Sequence, residues 1–496
     1  MTDITTSTDS YAGAEGAAAP RLSGKMGPAA LMLTVLAFSA PIAVVEGFIP
    51  FAIYFGGPGA TLAFCLSTVV LLLFAIGYVT MARHVPKPGD FYAFVSSGLG
   101  KVTGLGAAFL AIFGYLCVLG GTYIFLGVST ASLIASFGGP ETPWLLWAVL
   151  GWAAVSTLGY FHIELSAKIL TWAMVFEVVI VMIFNVFTLG KGGAEGLSLE
   201  PFTIASFGQG DMAVTLLYTI LVFMGFEATA LFRDEVRDPD KTIPRATYGA
   251  VILIGGLYIL SCYALVSAYG SAAWDVARED PTSMFSHGIG TFVGPVFTQI
   301  TYCSVVLSIF AALISIHNVL SRYILNLAVD KALPTVLAAV HDRHSSPHRA
   351  SVAVAVTVGL LMVPAFLSGI DGGALYGIVV GIGAIGIIFL MGLVSISVIG
   401  WFTKTGIPAR ENKFKVYYAP GLAAVVLLST TVFACLHLDL VVGGEPGASD
   451  WIVWLLVAVF LAGACLAAYF RSQKPHVFDG LGRAERVFES ISKTMT

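Results

Sequence analysis

The stretch FMGFEATALFRDEVRDPDKTIPRA, Phe223 to Ala246, decides how the rest of the chain is read. It opens as lipid-compatible helix, sets Glu227 directly after Gly225 and Phe226, and then becomes a dense run of charge. Gly225 lets the backbone leave helical geometry, and N–H and C=O groups freed by such a break can hold a ligand where they line a cavity. A charged side chain in mid-membrane costs about 2.5–3.5 kcal/mol on insertion scales, so Glu227 requires a partner, a water-filled cavity or a proton. In the plainer reading it accepts hydrogen bonds from the unwound backbone and braces the break. The two roles are compatible.

Outward from this stretch the chain is lipid-like throughout. Of 496 residues, 57% are hydrophobic and 11% charged, with a mean hydropathy of +0.89, whereas soluble proteins carry about 25% charged residues. Apolar runs of about 18 residues or more recur, each long enough to cross a hydrocarbon core of about 30 Å as a helix. Read against Pro, Gly and charge, they predict twelve spans, centred near residues 40, 70, 118, 153, 178, 221, 256, 304, 358, 388, 427 and 460. With the N-terminus in the cytoplasm, every Lys and Arg except Lys191 and Arg278 falls on the inside. The positive-inside rule thus predicts an all-α, multi-pass protein of the cell membrane with both termini cytoplasmic. Its parts are a flexible tail over 1–24, a ten-span core over 25–405, spans 11 and 12 over 406–470, and a cytoplasmic tail over 471–496.

Several function classes are excluded. The net charge of -4 is small and its basic residues are scattered, which argues against nucleic acid. The six cysteines lie in apolar runs with no C-x-x-C pair and no histidine cluster, so no metal is expected. The first 24 residues have no basic region ahead of an apolar core, unlike a signal peptide. GIGAIG, 381–386, fits a dinucleotide-binding spacing but lies inside an apolar helix with no preceding strand, so close helix packing explains it better. HIELS lacks the second histidine of a zinc protease, and neither a nucleophile elbow nor a phosphate-binding loop occurs. No enzyme is expected, and no cofactor.

Span 1, GPAALMLTVLAFSAPIAVVEGFIPFAIYF, and span 6, MAVTLLYTILVFMGFEATALF, are both interrupted midway and both carry an acid just past the interruption. They stand five spans apart, an odd offset, so spans 1–5 and 6–10 read as inverted repeats whose first members are broken helices. Secondary transporters place substrate near the midplane in this arrangement. Two further acids stand out. Glu46 follows Pro41, which removes an N–H donor near Ser39 to Ile42 and exposes carbonyls to a cation or ammonium group. Glu46 then meets a positive substrate, or else sits close enough to the surface to be hydrated. Glu177, in ILTWAMVFEVVIVMIF, has no interruption beside it and suits either proton coupling or a polar helix contact. His317 and Asn318 read as a satisfied polar network. The run RDEVRDPDKTIPRA reads as a solvated loop with Pro244 opening the next helix, or as ion pairs of Asp234, Glu235 and Asp238 that hold a gate.

FMGFEATALFRDEVRDPDKTIPRATY, RHVPKPGDFYAFVSSGLGK, ELSAKIL, SIHNVLSRYILNLAVDKALP and RHSSPHRAS together resemble the amino acid-polyamine-organocation (APC) permeases, over roughly residues 25–435. The resemblance implies a LeuT-like fold, a 5+5 inverted repeat plus two C-terminal helices, and secondary active transport of amino acids or amines. It implies that backbone at the two breaks holds the substrate's carboxylate and amine, at Ser39, Ala40, Pro41 and Ile42 and at Phe223, Gly225, Phe226 and Glu227. The acid of G-F-E is implicated in proton or substrate sensing in some relatives. Glu177 stands where some proton-linked relatives carry lysine. Leu221 stands at a gating aromatic's position, leaving Phe223 or Phe226 to close the site. Glu46 resembles an acid of putrescine importers and tilts the reading towards a cationic substrate. The expectation is therefore proton-coupled import by alternating access, with Glu227 and Glu177 coupling. An exchanger, a transport-inactive sensor and a channel are the alternatives. Span 8 lacks the adjacent hydroxyl pair often used for sodium in this fold.

Overall fold

The computed structural model describes residues 27–29, 31–32, 39–85, 91–161, 167–226, 229, 236–341, 346–443 and 445–482. Among these the chain is wholly helical, with no β-strand. In order come α1 (Pro41–Gly47), α2 (Ile49–Gly56), α3 (Ala60–Ala82), α4 (Phe91–Leu99), α5 (Lys101–Ser136), α6 (Trp144–Tyr160), α7 (Ala167–Gly190), α8 (Met212–Leu221) and α9 (Pro239–Tyr269). They are followed by α10 (Met284–Phe292), α11 (Pro295–Val329), α12 (His348–Leu367), α13 (Gly372–Thr405), α14 (Ala419–Leu436), α15 (Trp451–Gln473) and α16 (Pro475–Gly480). Among the described residues, eight helical stretches are long and apolar enough to cross a membrane. Three shorter apolar segments, in α6, α8 and α12, lie where spans 4, 6 and 9 are expected, and Pro41–Ala82 forms one stretch across the expected first and second spans.

The centre of the molecule is built on small residues. A Cβ on Gly383 of α13 would stand 2.8 Å from the carbonyl oxygen of Gly114 on α5, and one on Gly121 would stand 2.5 Å from Val380. GIGAIG is therefore a seam along which two helices approach backbone to backbone. Between lipid-solvated helices close packing replaces the hydrophobic drive of water-soluble cores. Side-chain caps start α8 and α13: Asp211 accepts from the Val214 amide at 2.7 Å, and Asp371 from the Gly373 amide at 2.8 Å.

One expected boundary is corrected. α9 begins at Pro239, with Pro244 inside it. Asp238 and Pro239 start the helix a turn and a half earlier, the Asp238 carbonyl accepting from the Thr242 amide at 2.7 Å, and Pro239 holds the N1 place where a missing N–H costs nothing. In the same run Lys241 meets Asp238 at 3.2 Å, an exposed pair within one helix turn; Arg233, Asp234 and Glu235, on which the gate reading rests, lie outside the described residues.

Loops expected on one side meet there. Arg83, after α3, reaches Glu411, before α14, at 3.3 Å; Glu411 also takes Lys415 at 3.1 Å. Lys404 Nζ donates to the Gly98 carbonyl at 2.7 Å. At the opposite end Lys191 Nζ donates to the Phe292 carbonyl and the Trp274 indole to the Tyr54 carbonyl.

Candidate functional site

Both expected breaks are present. Before α1 the backbone turns left-handed at Ala40, with φ 45° and ψ 67°, a conformation that costs a non-glycine residue about 1–2 kcal/mol. Pro41 then opens α1 from a position whose N–H has no helical partner to lose. In span 6, α8 ends at Leu221, and the chain passes through tight turns to Gly225 at φ 110°. The Phe223 amide donates to the Ile220 carbonyl and the Met224 amide to that of Leu221, both short-range turn bonds.

Glu177 belongs to the first break. Its Oε2 accepts from the Ile42 amide at 3.3 Å, across 135 residues of sequence, and Ser308 of α11 lies beside the same carboxyl. Ile42 is among the first residues of α1, whose leading N–H groups have no partner within the helix and carry its positive dipole end. A carboxylate is the natural occupant of such a place. As expected, Glu177 has no interruption beside it in its own helix, which is regular; the interruption it meets lies on α1.

Tyr258 of α9 joins the two breaks. Its hydroxyl is 2.9 Å from Ser39 Oγ, and its ring meets Phe223 edge-on at 6.3 Å between centroids. Neighbouring Asn185 and Ser261 bond at 3.0 Å. Ser39, Ala40, Pro41, Ile42, Phe223 and Glu177 thus form one buried cluster. Phe226 instead turns to Phe74 of α3, edge-on at 5.8 Å, and Leu221 is buried between the helices. Glu227 lies outside the described residues. Tyr258 and Ser308 were not singled out in the sequence; their only signal is a hydroxyl within an apolar span.

Glu46 occupies the other end of α1, four residues and about 6 Å of helix beyond Ile42. It is 1% exposed, and among the described residues neither carboxyl oxygen has a hydrogen-bond partner. The hydrated reading of Glu46 is therefore corrected, because α10 and α11 pack over this end of α1. Ser286 of α10 lies beside the carboxyl without closing a bond of ordinary geometry, and Tyr302, Tyr269 and exposed Asp280 are further polar neighbours. The place is unfavourable for a bare anion on two counts, burial and the negative end of the helix dipole.

Beyond Glu46 the helices are packed against one another by rings. Phe51 stacks on Tyr218 at 5.8 Å, Phe55 on Tyr218 at 5.2 Å and Phe125 on Tyr376 at 4.7 Å. Phe48 and Phe51 meet Tyr376 edge-on, and the Tyr218 hydroxyl donates to the Gly377 carbonyl at 2.7 Å. Away from the site, the Nε2 of His317 is 2.9 Å from Ser351 Oγ, while its buried Nδ1 has no partner among the described residues, so the expected polar network is satisfied only in part.

The arrangement has two breaks, an acid capping one of them and a second acid without a partner. Among the described residues no three His, Cys, Asp or Glu side chains converge as metal ligands. Comparison with known proteins places it. Residues 40–478 match the family model described as amino acid permease. An uncharacterized transporter of Mycobacterium tuberculosis is 27% identical over 337 residues, 66% of this chain and 71% of that protein. A branched-chain amino acid permease of Bacillus subtilis is 22% identical over 60% of this chain and 65% of the relative; a probable GABA permease of Pseudomonas aeruginosa is 23% identical over 62% and 65%. The chain belongs to the amino acid permease family of the APC superfamily, a family of multi-pass membrane transporters and not of enzymes.

Proposed function

We propose that this permease is a secondary active transporter importing an amino acid or an organic amine together with a proton, by alternating access within twelve spans of LeuT-like 5+5 design plus two C-terminal helices. Both termini lie in the cytoplasm, and the substrate's carboxylate and amine are held at Ser39, Ala40, Pro41 and Ile42 and at Phe223, Gly225, Phe226 and Glu227. Glu177 and Glu227 link occupancy to protonation.

The contact between the Ile42 amide and Glu177 carries the coupling reading. An ionised Glu177 occupies an amide that a substrate carboxylate needs. Protonation weakens it as an acceptor and releases the amide, so the arrival of a proton and of a substrate at α1 favour one another. The family supports an amino acid substrate, as do relatives named branched-chain amino acid permease, probable GABA permease and serine/threonine exchanger. Glu46 favours substrates with a cationic end, since a buried carboxyl without a partner gains most from a positive one. An exchanger with the same pocket is the second reading, favoured by the serine/threonine exchanger among the relatives.

The test is uptake into proteoliposomes of labelled neutral, acidic and basic amino acids, putrescine and tyramine, with and without an inward proton gradient. Saturable uptake stimulated by the gradient is expected, with stimulation lost in Glu177→Gln and Glu227→Gln. Uptake of basic or amine substrates alone is expected to fail in Glu46→Gln. Uptake that requires substrate inside and ignores the gradient would establish the exchanger; no accumulation of any compound would remove the import reading.

A further inference from the structure

A second feature lies away from the breaks, where α11 and α15 end. The turn after α11, the end of α15 and the start of α16 line an open surface cavity of about 450 Å³. Lys331, Thr335, Lys474 and His476 line it and are exposed, whereas Leu333 is half-buried and Phe470 buried. The cavity therefore has a basic, hydroxylated rim and an apolar floor. Among the described residues no acidic side chain lines it. The nearest acid in sequence, Asp330, is engaged elsewhere, accepting from the Gly482 amide at 3.0 Å and the Tyr92 hydroxyl at 3.4 Å. Neither Lys331 nor Lys474 forms an ion pair with another described residue.

The backbone at Lys331 is a second, independent observation. α11 ends in a turn in which the amides of Ala332 and Leu333 both return to the Leu327 carbonyl, at 2.8 and 3.2 Å. Lys331 sits in that turn at φ 61°, the left-handed place that glycine normally fills without strain. A lysine held there projects its charge at the cost of a less favourable backbone. The location is also distinctive: both α11 and α15 are long enough to span a membrane, and the cavity opens where they leave it.

We propose that this cavity binds the headgroup of an anionic phospholipid, its phosphodiester between Lys331, Lys474 and His476 and its acyl chains against Leu333 and Phe470. Anionic headgroups are taken by basic pockets between spans at the positively charged face. The bound lipid joins the end of α11 to α16. It thereby reinforces the clasp in which Lys101 Nζ donates to the carbonyls of Phe478 and Asp479 at 3.0 and 2.9 Å.

The full chain, purified and placed in nanodiscs of phosphatidylcholine alone or with added phosphatidylglycerol, tests this whichever way the protein faces, since both leaflets are alike. Phosphatidylglycerol is expected to raise the melting temperature and to stay bound in native mass spectra, with retention falling about fivefold for each of Lys331→Gln and Lys474→Gln. Lys331→Gly separates binding from folding: relief of the turn is expected to raise stability in phosphatidylcholine while the response to phosphatidylglycerol is lost. Equal retention in the wild type and both glutamine variants would overturn the proposal. So would inorganic phosphate in phosphatidylcholine nanodiscs reproducing the full stabilisation, which would make this a site for a soluble anion.

Discussion

Glu46 and Glu177 are the same side chain at opposite ends of one seven-residue helix, and their surroundings set them apart. Glu177 receives an amide at the positive end of the helix dipole; Glu46 receives nothing at the negative end. Glu46→Gln removes a charge without breaking a hydrogen bond, so its melting temperature is expected to equal or exceed that of the wild type. A fall of several degrees would show that the carboxylate has a partner in the folded protein. Tyr258→Phe has the opposite character. It deletes the hydroxyl that meets Ser39 and leaves a buried serine oxygen unpaired, a loss of about 1–3 kcal/mol, and it frees the span 1 break from span 7. The expected result is lower thermal stability with a raised KM for uptake. An unchanged KM would mean that Ser39 is held by other contacts.

At the scale of helices, the seam between α5 and α13 depends on having no side chain at Gly383. Gly383→Val places carbon against the Gly114 carbonyl and is expected to cost about 1–3 kcal/mol as overpacking, read as a lower melting temperature in detergent. Unaltered stability would mean that the helices part without penalty. This seam was legible in the sequence because glycine spacing inside an apolar run has few other uses. The breaks were legible as well: Pro41 cannot donate, and Gly225 tolerates a positive φ, so each lies at the interruption of its span. The start of α9 was not, because two prolines compete for the N1 place and only the Asp238 carbonyl, accepting from Thr242, decides between them. Nor could the sequence bring Glu177 to α1. Regular spacing within a helix reports which face is polar but not which of several neighbours that face meets. Tyr258, Ser308 and Ser286 escaped notice for the same reason, since single hydroxyls in apolar spans are too common to mark a site.

On the scale of the whole molecule, the C-terminal clasp links stability to pH. Burial lifts the Asp330 carboxyl above the usual aspartate range, against the lowering influence of the Gly482 amide, the Tyr92 hydroxyl and Lys101. The folded chain then holds this proton more tightly than the unfolded one. Its contribution to stability falls as pH rises from the ordinary aspartate value of about 4 through the raised folded value, and is level above that. Asp330→Asn cannot titrate, so the melting temperature of the wild type minus that of the variant is expected to decline with rising pH across this acidic window. A difference that stayed constant or grew would contradict the assignment. The stacked rings of Phe55, Tyr218, Phe51, Tyr376 and Phe125 have an electrical consequence. One elementary charge crossing the membrane field exchanges about 2.3 kcal/mol per 100 mV, but neutral rings parting from one another carry none. In the alternating-access cycle proposed above, parting of these rings is blind to membrane potential, and voltage dependence falls on the steps that move the proposed proton, a charged substrate or a glutamate.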